Sequence, residues 1–473
     1  MFKNVILITV DCLRADQIGG AAQSPGLARA LDNLAEQGMV FHNAFSCGPR
    51  TAESFPALLT SSYPLMHNID GHHLSPQRLP LAAVLQSSGF TTAAMHSNPV
   101  LSSAYGYNRG FDTFWDSLER SDGMHQAGFA LAPYFRRVGW LYHGLRQIYH
   151  IAEVARNQPP FVRSAAILDR ARQWLQQHDP RQRFFLWLHL MDLHNPYLPL
   201  ADYQARFFDR PLSKRKLFAL SSRLIDRPET LSPAEVATLK RLYQAQIGYV
   251  DDRLGELFHW LKATSVLENT LLVLTADHGE EFGEHGGMGH AASVHRAQDG
   301  KAVVKLYDEL LHVPLLLYSP ALAPTRREIP NLVSLLDLSP TIVDLLGLPP
   351  VPEWQGHSLL PLLEGTGAPA REGVFAEYEA STEDGAKGAV VAYRTARWKF
   401  IYEGLSGQHE LYDLANDRRE ETNVVERYPA VAAQMRRVVE AHLSSLKPAA
   451  AALPDEPVSI EVVERLKALG YIE

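Results

Sequence analysis

Residues 271–290 read Leu-Leu-Val-Leu-Thr-Ala-Asp-His-Gly-Glu-Glu-Phe-Gly-Glu-His-Gly-Gly-Met-Gly-His, and this stretch decides the fold. Its apolar start is typical of a buried strand in a parallel sheet. The strand ends at Asp277 and His278, and open α/β sheets bind ligands at the edge formed by the carboxyl ends of their strands. A carboxylate beside an imidazole is typical ligand chemistry for a divalent metal. We predict a metal site followed by a glycine-rich loop; the alternative is a surface loop with satisfied histidines.

A second strand with the same kind of ending opens the chain. Residues 4–11 read Asn-Val-Ile-Leu-Ile-Thr-Val-Asp, so a strand-forming run stops at the carboxylate of Asp11. Two strands that are distant in sequence can place such carboxylates at one edge of a sheet. No leader precedes this strand, and no run elsewhere reaches the ~18–20 apolar residues that a membrane helix needs. We therefore expect a cytoplasmic protein without a signal peptide or a transmembrane segment; the alternative is that the sequence is a trimmed mature form.

The composition is that of a globular enzyme. The 473 residues suffice for one large domain and a smaller one, and contents of 46% hydrophobic and 21% charged residues are ordinary. The net charge of −8 argues against general nucleic-acid binding. The cysteines are Cys12 and Cys47, so we expect two thiols in a reducing compartment and no disulfide framework. The sequence gives no indication of the oligomeric state.

Strand and helix patterns alternate up to about residue 365. Predicted strands lie at 4–11, 41–45, 90–95, 184–190, 270–276 and 313–318, and predicted helices at 26–38, 52–61, 79–88 and 234–263. Such alternation predicts an α/β fold with a large, mostly parallel sheet sandwiched by helices. We assign residues 1–365 to this catalytic domain.

The pattern changes after residue 365. Short strand candidates lie at 374–378, 388–393, 399–402 and 410–414, and a predicted helix follows at 428–445. We therefore expect residues 366–447 to form a smaller C-terminal α+β subdomain, an antiparallel sheet packed by its last helix. Residues 448–473 are expected to form a tail with a terminal helix at 458–468.

A predicted helical insertion, at about 119–165, interrupts the alternation in the larger domain. Within it, residues 133–149 combine aromatic residues and arginines at roughly helical spacing. Such a helix can lie on a membrane surface or recognise a lipid-linked substrate. The alternative, which we favour, is an insertion whose aromatic face packs on the main domain.

Motifs along nearly the whole chain form a series. They lie at 4–16, 191–197, 277–278, 307–314, 337–341, 355–359, 397–399, 410–414 and 469–471. Taken in this order, they resemble the sulfatase branch of the alkaline phosphatase superfamily. The resemblance implies an alkaline phosphatase-like fold and an enzyme that uses a metal to cleave sulfuric or phosphoric esters.

The chain departs from this family at the nucleophile. Sulfatases of this branch carry a Cys or Ser in a C-x-P-x-R run, which is converted to formylglycine. Here the aligned nucleophile, proline and arginine positions hold Thr51, Glu53 and Phe55, and the nearby Cys47-Gly-Pro-Arg is out of register. Threonine cannot become formylglycine, so we expect no formylglycine.

Residues 46–56, Ser-Cys-Gly-Pro-Arg-Thr-Ala-Glu-Ser-Phe-Pro, resemble instead the nucleophile segment of phosphoethanolamine transferases, in which a threonine attacks. A threonine hydroxyl is a weak nucleophile, and a bound divalent cation would favour its alkoxide. The resemblance likewise places Asp11, Thr51, Asp277 and His278 around one metal. The alternative for Thr51 is a capping role at the helix predicted for 52–61.

The resemblance also suggests residues that contact the substrate. It gives His194 and His290 catalytic roles, and either imidazole could protonate a departing alkoxide at neutral pH. Asn98, His285 and Lys399 are candidate substrate-binding residues. Asn98 could hydrogen-bond a phosphoryl oxygen, His285 could instead buttress the glycine-rich loop, and Lys399 could instead be a solvated lysine at a strand edge.

Cys12 stands where many sulfatases carry a second acid. With fewer hard oxygen ligands, we expect one divalent metal, with zinc or manganese favoured and calcium possible. Thiolate ligation by Cys12 and a purely structural buried thiol both remain open.

The function predicted from these residues is hydrolysis of a sulfuric or phosphoric ester of a small molecule, glycan or lipid, through a covalent intermediate on Thr51. One alternative is transfer of a phosphoethanolamine-like group onto a glycan or lipid. A second alternative is a catalytically silent family member that binds an anion, because the proline and arginine of the family motif are missing.

Overall fold

The computed structural model describes residues 2–18, 26–67, 73–117, 159–290, 306–322, 327–367, 371–381 and 386–446, together with Val462 and Leu469. A large sheet of eight described strands carries the site, and a separate four-stranded sheet follows it in the chain. The alkaline phosphatase-like α/β architecture expected from the sequence is confirmed.

The strands of the larger domain are β1 (Asn4–Val10), β2 (Met39–Phe45), β3 (Phe90–Met95), β4 (Thr113–Trp115), β5 (Arg183–Leu190), β6 (Thr270–Thr275), β7 (Glu281–Phe282), β8 (Met288–Gly289), β9 (His312–Tyr318) and β10 (Arg327–Ser334). The main sheet has the order β10-β2-β9-β6-β1-β5-β3-β4, and β7 pairs with β8 in a small hairpin. All neighbours in the main sheet are parallel except that β9 runs antiparallel to β2 and β6. The sheet is therefore mostly parallel, as predicted.

The helices of the larger domain are α1 (Arg29–Gln37), α2 (Thr51–Thr60), α3 (Leu81–Ser87), α4 (Ser164–Gln177), α5 (Ala201–Gln204), α6 (Lys214–Asp226), α7 (Pro233–Ala263), α8 (Asp308–Leu311), α9 (Leu338–Leu345) and α10 (Leu360–Glu364). The longest, α7, begins with a capping box between Ser232 and Glu235 and has proline at its first turn. Its Asp251 carboxylate accepts the backbone N–H groups of Ala30 and Leu31, each at 2.9 Å. This carboxylate therefore satisfies two amides that the start of α1 cannot pair internally.

The register of the central strands sets the position of the site. Thr9 of β1 pairs with His189 of β5 on one side and with Thr275 of β6 on the other. Asp11 and Asp277 each lie two residues beyond a paired threonine, so parallel pairing brings both carboxylates to one edge. Every residue of β6 and nearly every residue of β1 is buried, which explains their unbroken apolar sequences.

The second sheet is antiparallel throughout. It consists of β11 (Gly373–Ser381), β12 (Lys387–Thr395), β13 (Trp398–Glu403) and β14 (His409–Asp413), in that order, and α11 (Pro429–Ser445) packs against it. This is the C-terminal antiparallel-sheet subdomain expected from the sequence.

Most predicted elements are present with ends within three residues of those expected. The elements that were not predicted are β4, β7, β8, β10, α4, α5, α6, α8, α9 and α10. The predicted aromatic helix at 133–149 lies outside the described residues, as does nearly all of the tail helix predicted at 458–468. None of the described helices combines the length and the apolarity that crossing a membrane requires.

Candidate active site

Two acids and a histidine meet at the carboxyl edge of the main sheet. Ligand atoms of Asp11, Asp277 and His278 all lie within 4.8 Å of one another, and all three side chains are fully buried. The Thr51 hydroxyl donates a hydrogen bond to Asp277 Oδ2 at 3.1 Å and lies 3.4 Å from His278 Nε2. The four residues that the sequence placed around one metal are thus brought together.

Thr51 reaches this group because α2 begins at that residue. Arg50 occupies the position before the helix, so Thr51 is the first helical residue rather than the cap that the alternative interpretation required. The preceding loop is held from the second sheet, since the Glu377 backbone N–H donates to the Cys47 carbonyl at 2.8 Å. The nucleophile loop, residues 46–50, is therefore supported by both sheets.

Glu53 and Phe55, which stand at the positions of the family's proline and arginine, make different contacts in this chain. Glu53 is fully buried and forms a charged hydrogen-bonded pair with Arg50. Phe55 packs edge-on against the ring of His189, with centroids 5.0 Å apart, and against Trp187. An internal ion pair and an apolar wall thus stand where the family motif carries proline and arginine.

Asp11 is the most strongly supported acid of the site. His189 Nε2 lies 3.2 Å from Asp11 Oδ2, and the Asn98 amide donates to the same oxygen at 3.2 Å. Burial alone would raise the pKa of Asp11, but its hydrogen bond to His189 and its electrostatic attraction to the surrounding imidazoles hold it well below its usual range. Asp11 is therefore ionised.

Asp277 has the opposite shift. Burial raises the pKa of Asp277, and the negative charge of Asp11 raises it further. Its neighbour His278 places Nδ1 2.8 Å from the Gly279 carbonyl, so an Nδ1–H donates there and Nε2 faces the acids with its lone pair. Two buried acids and a histidine lone pair form a donor set that fits a divalent cation, because such a cation would relieve the repulsion between the carboxylates.

A row of histidines extends from this donor set. The His290 ring lies 4.5 Å from that of His278 and 4.8 Å from that of His194, measured between centroids. His290 Nδ1 lies 3.0 Å from Glu280 Oε1, and the Tyr197 hydroxyl holds the other Glu280 oxygen at 2.8 Å. Both predicted catalytic histidines therefore stand beside the acids.

The pKa values of His194 and His290 are shifted in opposite directions. Burial lowers the pKa of His194 to about 4, and the charge of His290 contributes to this shift. Burial would also lower the pKa of His290, but the charge of Glu280 and its hydrogen bond raise it. Near neutral pH, His194 is therefore neutral, whereas His290 retains a proton more readily than an ordinary histidine.

The loop after β1 is fixed by polar contacts. Cys12 has a left-handed backbone with a φ of 62°, and the Tyr243 hydroxyl of α7 donates to its carbonyl at 2.8 Å. Arg14 forms a salt bridge to Asp16 and another to Glu284, each at 2.7 Å. Arg14 thus joins the first loop to the glycine-rich loop.

Asn98 lies beside the acids. Its amide nitrogen donates to Asp11, while its side-chain oxygen accepts the Val100 backbone N–H at 3.0 Å. The predicted contact with a substrate oxygen stays a prediction.

His285 lies in a second group of side chains, next to the C-terminal sheet. Its ring stacks on Tyr307 with a centroid distance of 3.7 Å, and its Nδ1 pairs with the Glu309 carboxylate. Its Nε2 lies 3.1 Å and 3.2 Å from the carbonyls of Arg419 and Glu420. Burial would lower the pKa of His285, but Glu309 raises it to about 9. These contacts match the buttressing alternative.

Lys399 is fully buried, so the interpretation as a solvated lysine at a strand edge is wrong. Its Nζ lies 2.8 Å from Asp308 Oδ1 and 2.6 Å from Glu420 Oε1. An ammonium group can be desolvated at this depth because two carboxylates compensate its charge. The predicted contact of Lys399 with substrate stays a prediction.

The sequence interpretation missed two functional candidates. His189 is a histidine within an otherwise apolar strand, and the pairing of β5 beside β1 aims it at Asp11. Glu280 follows the metal-ligand pair by two residues and is completely buried against His290. A polar residue in a buried strand and the acids of a glycine-rich loop were signals available in the sequence.

The fold and this site define an alkaline phosphatase-like hydrolase: a buried acid–histidine cluster with a hydroxyl nucleophile candidate at the carboxyl edge of a mostly parallel sheet. The chain belongs to the sulfatase family. The family described as Sulfatase matches residues 3–348, and the family described as N-sulphoglucosamine sulphohydrolase, C-terminal, matches residues 301–447.

Curated relatives and solved structures agree with this assignment. A choline-sulfatase from Rhizobium meliloti (strain 1021) is 26% identical over 455 residues, covering 89% of this chain and 82% of its own. Arylsulfatase K from Rattus norvegicus is 24% identical over 441 residues, covering 85% and 71%. The phosphonate monoester hydrolase of Agrobacterium radiobacter superposes with a TM-score of 0.71 at 21% identity, covering 94% and 96%. This chain is an ester hydrolase, and members of its family bind a divalent metal.

Proposed function

We propose that this chain hydrolyses sulfate, phosphate or phosphonate esters with Thr51 as the nucleophile and one divalent metal held by Asp11, Asp277 and His278. The observation that carries the proposal is the position of the Thr51 hydroxyl, 3.1 Å from Asp277 and 3.4 Å from His278. The named activities of similar proteins, a choline-sulfatase and a phosphonate monoester hydrolase, support this range of substrates.

The metal would be held by two carboxylates and one imidazole. When bound, it supplies a Lewis acid for the anionic group of the substrate and for the nucleophile oxygen. Asp277 meanwhile accepts the hydrogen bond of Thr51 and so orients the hydroxyl oxygen toward the sheet edge. The surrounding residues are buried, so water is largely excluded and each electrostatic contact is strengthened.

In the first chemical step, Thr51 Oγ1 attacks the sulfur or phosphorus atom while the bond to the ester oxygen breaks. The hydroxyl proton leaves along the hydrogen bond to Asp277, and the product is a sulfo- or phosphoryl-threonine. In the second step, water attacks the same sulfur or phosphorus atom. The bond to Thr51 Oγ1 breaks, Asp277 returns the proton to that oxygen, and the attacking water gives its proton to the imidazole of His290. Both residues are thus restored, and the sum of the two steps is hydrolysis of the ester.

His290 is the proposed general acid for the leaving group. Glu280 raises the pKa of His290 against the effect of burial, so His290 retains a proton more readily than an ordinary histidine, whereas burial lowers the pKa of His194 to about 4. Neighbouring groups with pKa values driven apart can divide acid and base roles between them. His290 therefore donates its proton to the departing alkoxide, and neutral His194 is available to hydrogen-bond the transferred group.

Two other functions would use the same site. The likeness of residues 46–56 to phosphoethanolamine transferases favours transfer, in which an acceptor hydroxyl replaces water in the second step. The presence of Glu53 and Phe55 at the motif positions favours a silent, anion-binding member. All three functions require the same donor set, and they differ in what happens to the group on Thr51.

The test is turnover of aryl sulfates, aryl phosphate diesters and phosphonate monoesters by the metal-loaded protein. Thr51→Ala should abolish turnover, because no other group then forms the covalent bond. Thr60→Ala is the matched control, since Thr60 is a buried threonine at the other end of the same helix. Thr60→Ala should keep the wild-type rate.

Mass spectrometry after brief exposure to substrate should find one sulfo or phosphoryl group on the peptide that contains Thr51. Formation of product only when an alcohol acceptor is added would favour the transferase. Bound metal without turnover of any substrate would favour the silent member. Turnover by Thr51→Ala at the wild-type rate would overturn the proposal.

A further inference from the structure

Cys12 is a fully buried thiol inside the acid–histidine cluster. Its Sγ lies 2.8 Å from Asp11 Oδ1 and 3.6 Å from His290 Nδ1. Ligand atoms of Cys12, His278 and His290 all lie within 4.8 Å of one another, as do those of Asp11, Asp277 and His278. The two groups share His278, so the sulfur borders the donor set that would hold the metal.

The shared histidine limits the arrangement to one ion. An imidazole nitrogen has a single lone pair, and His278 Nδ1 is occupied by its hydrogen bond to the Gly279 carbonyl. His278 can therefore bind metal only through Nε2, and only one ion at a time. If Cys12 Sγ and His278 Nε2 bind the same metal ion, that ion is therefore also the one bound by Asp11 and Asp277.

The spacing of the donor atoms fits a small tetrahedral ion. Oxygen or nitrogen ligands at about 2.0 Å and sulfur at about 2.3 Å from zinc are roughly 3.3–3.6 Å from one another at tetrahedral angles. His278 Nε2 lies 3.4 Å from Asp277 Oδ2 and 3.9 Å from Asp11 Oδ1. These distances are close to those that zinc requires, whereas calcium takes six to eight oxygen ligands.

The sulfur is also held in place. The left-handed backbone at Cys12, uncommon for a residue with a side chain, is kept by the Tyr243 hydroxyl, which donates to the Cys12 carbonyl and accepts the Arg14 N–H at 3.2 Å. These bonds fix the peptide on the carboxyl side of Cys12. With the backbone in this conformation, the Cys12 side chain places Sγ 2.8 Å from Asp11 Oδ1.

We propose that Cys12 Sγ is a ligand of the ion at this site, together with Asp11, Asp277 and His278, that the ion is zinc, and that a substrate oxygen would join these four donors as a fifth ligand. This inference rests on the metal site of the proposed function. On binding, the S–Zn bond forms as the thiol loses its proton to solvent, and no oxidant or reductant takes part. The imidazole of His290 lies beside this ligand, with Nδ1 3.6 Å from the sulfur.

Cobalt(II) is the probe, because it occupies zinc sites and is coloured. Wild-type protein loaded with cobalt should show a thiolate-to-cobalt charge-transfer band in the near ultraviolet together with visible ligand-field bands. Cys12→Ser should lose the charge-transfer band, and its affinity for zinc should fall by about 100-fold or more, since outer partners of metal ligands alone cost 10–100-fold. Cys12→Asp should shift the preference from zinc toward calcium.

Cys47 provides the matched control. It is the other buried thiol, and its Sγ contacts Ser334 Oγ at 3.2 Å rather than the acid cluster. Cys47→Ser should keep the full charge-transfer band. Retention of that band in Cys12→Ser, or its absence from the cobalt-loaded wild type, would overturn the ligation by Cys12.

A measurement on the wild type avoids any dependence on the folding of variants. X-ray absorption at the zinc edge should show one sulfur at about 2.3 Å from the ion. A shell made only of oxygen and nitrogen would reject the sulfur ligand but leave the metal site intact. Unchanged metal content in Asp277→Ala would instead reject the metal site itself, so the two failures are distinguishable.

Discussion

Two buried acid pairs lie in this molecule, and they are neutralised in different ways. Asp308 and Glu420, between the glycine-rich loop and the second sheet, enclose the ammonium of Lys399, and Arg394 also contacts Asp308. Asp11 and Asp277 lie at the edge of the main sheet. In the described part of the chain, the ion pairs of Asp11 and Asp277 involve histidines alone.

The pKa values of the two pairs share one pattern. Burial raises the pKa of Glu420 to about 7, to which the charge of Asp308 contributes, and the Lys399 and Arg394 charges hold the pKa of Asp308 well below its usual range. Asp277 and Asp11 behave in the same way, with one raised and one lowered. The two pairs differ in their cation: Asp308 and Glu420 have cations from the chain, and Asp11 and Asp277 are the pair that we propose to bind a metal ion.

The largest expected effect is on catalysis at the first pair. Asp277→Asn should lower kcat/KM by about 10³-fold or more, equivalent to about 4 kcal/mol, because it removes a metal ligand and the acceptor of the Thr51 proton. Steady-state assays at saturating zinc measure the loss. Asp344→Asn, on the exposed face of α9, is the control and should leave the rate unchanged. A loss of kcat/KM below tenfold would show that Asp277 has no essential role in catalysis.

The next largest effect is on stability at the second pair. Lys399→Met should lower the free energy of unfolding by about 3–5 kcal/mol, because it leaves the buried Glu420 carboxylate without its cation and Asp308 with Arg394 alone. Denaturant titration measures this change. Lys387→Met, which breaks an exposed pair with Glu379 on the same sheet, should cost less than about 1 kcal/mol. Equal costs for the two lysines would contradict the comparison.

A smaller effect, dependent on pH, is expected at His285. Its folded pKa of about 9 lies above the unfolded value of 6.5, so the charged ring stabilises the fold fully below about pH 6.5. This contribution is lost as the pH rises through about 9. His285→Gln should therefore cost about 2 kcal/mol in acid and little in alkali. Exposed His259→Gln is the control, and a cost for His285→Gln that is independent of pH would refute the ionic contact.

The smallest expected effect is on the stability of the metal-free protein. It tests whether neutralising one acid stabilises the first pair and destabilises the second. In metal-free protein, Asp277→Asn should leave stability unchanged or raise it by about 1 kcal/mol, because it removes repulsion with Asp11. Asp308→Asn should lower stability, because Lys399 and Arg394 lose a partner. Thermal melts in chelator compare the two variants. Destabilisation of the apoprotein by both to the same extent would show that the acids of the site are already neutralised.

The sequence was informative about the fold where burial makes a strand continuously apolar. β1, β5 and β6 are such strands, and they carry the site. It was less informative about β10, where Pro330 and a register shift between Ile329 and Leu332 interrupt the pattern. The antiparallel direction of β9 was not predictable either, because an apolar run has the same composition in both directions.

For the candidate site, the ends of strands and the family resemblance were enough to bring Asp11, Thr51, Asp277 and His278 together. His189 was missed because its relation to Asp11 depends on the pairing of β5 with β1, which the sequence does not state. The burial of Lys399 was mispredicted for a similar reason. Its partner Glu420 lies in a loop with a left-handed backbone, φ 58°, that no local pattern connects with β13.

The backbone N–H of Glu377 donates a hydrogen bond to the loop at residues 46–50, which precedes the candidate nucleophile. The carbonyls of Arg419 and Glu420 lie within hydrogen-bond distance of His285 in the glycine-rich loop. The C-terminal subdomain therefore supports two loops of the candidate active site. A shortened protein ending near residue 365 would leave Asp308 without Lys399 and Arg394 and would release both loops. Engineering that swaps this subdomain between family members should accordingly alter turnover as well as solubility.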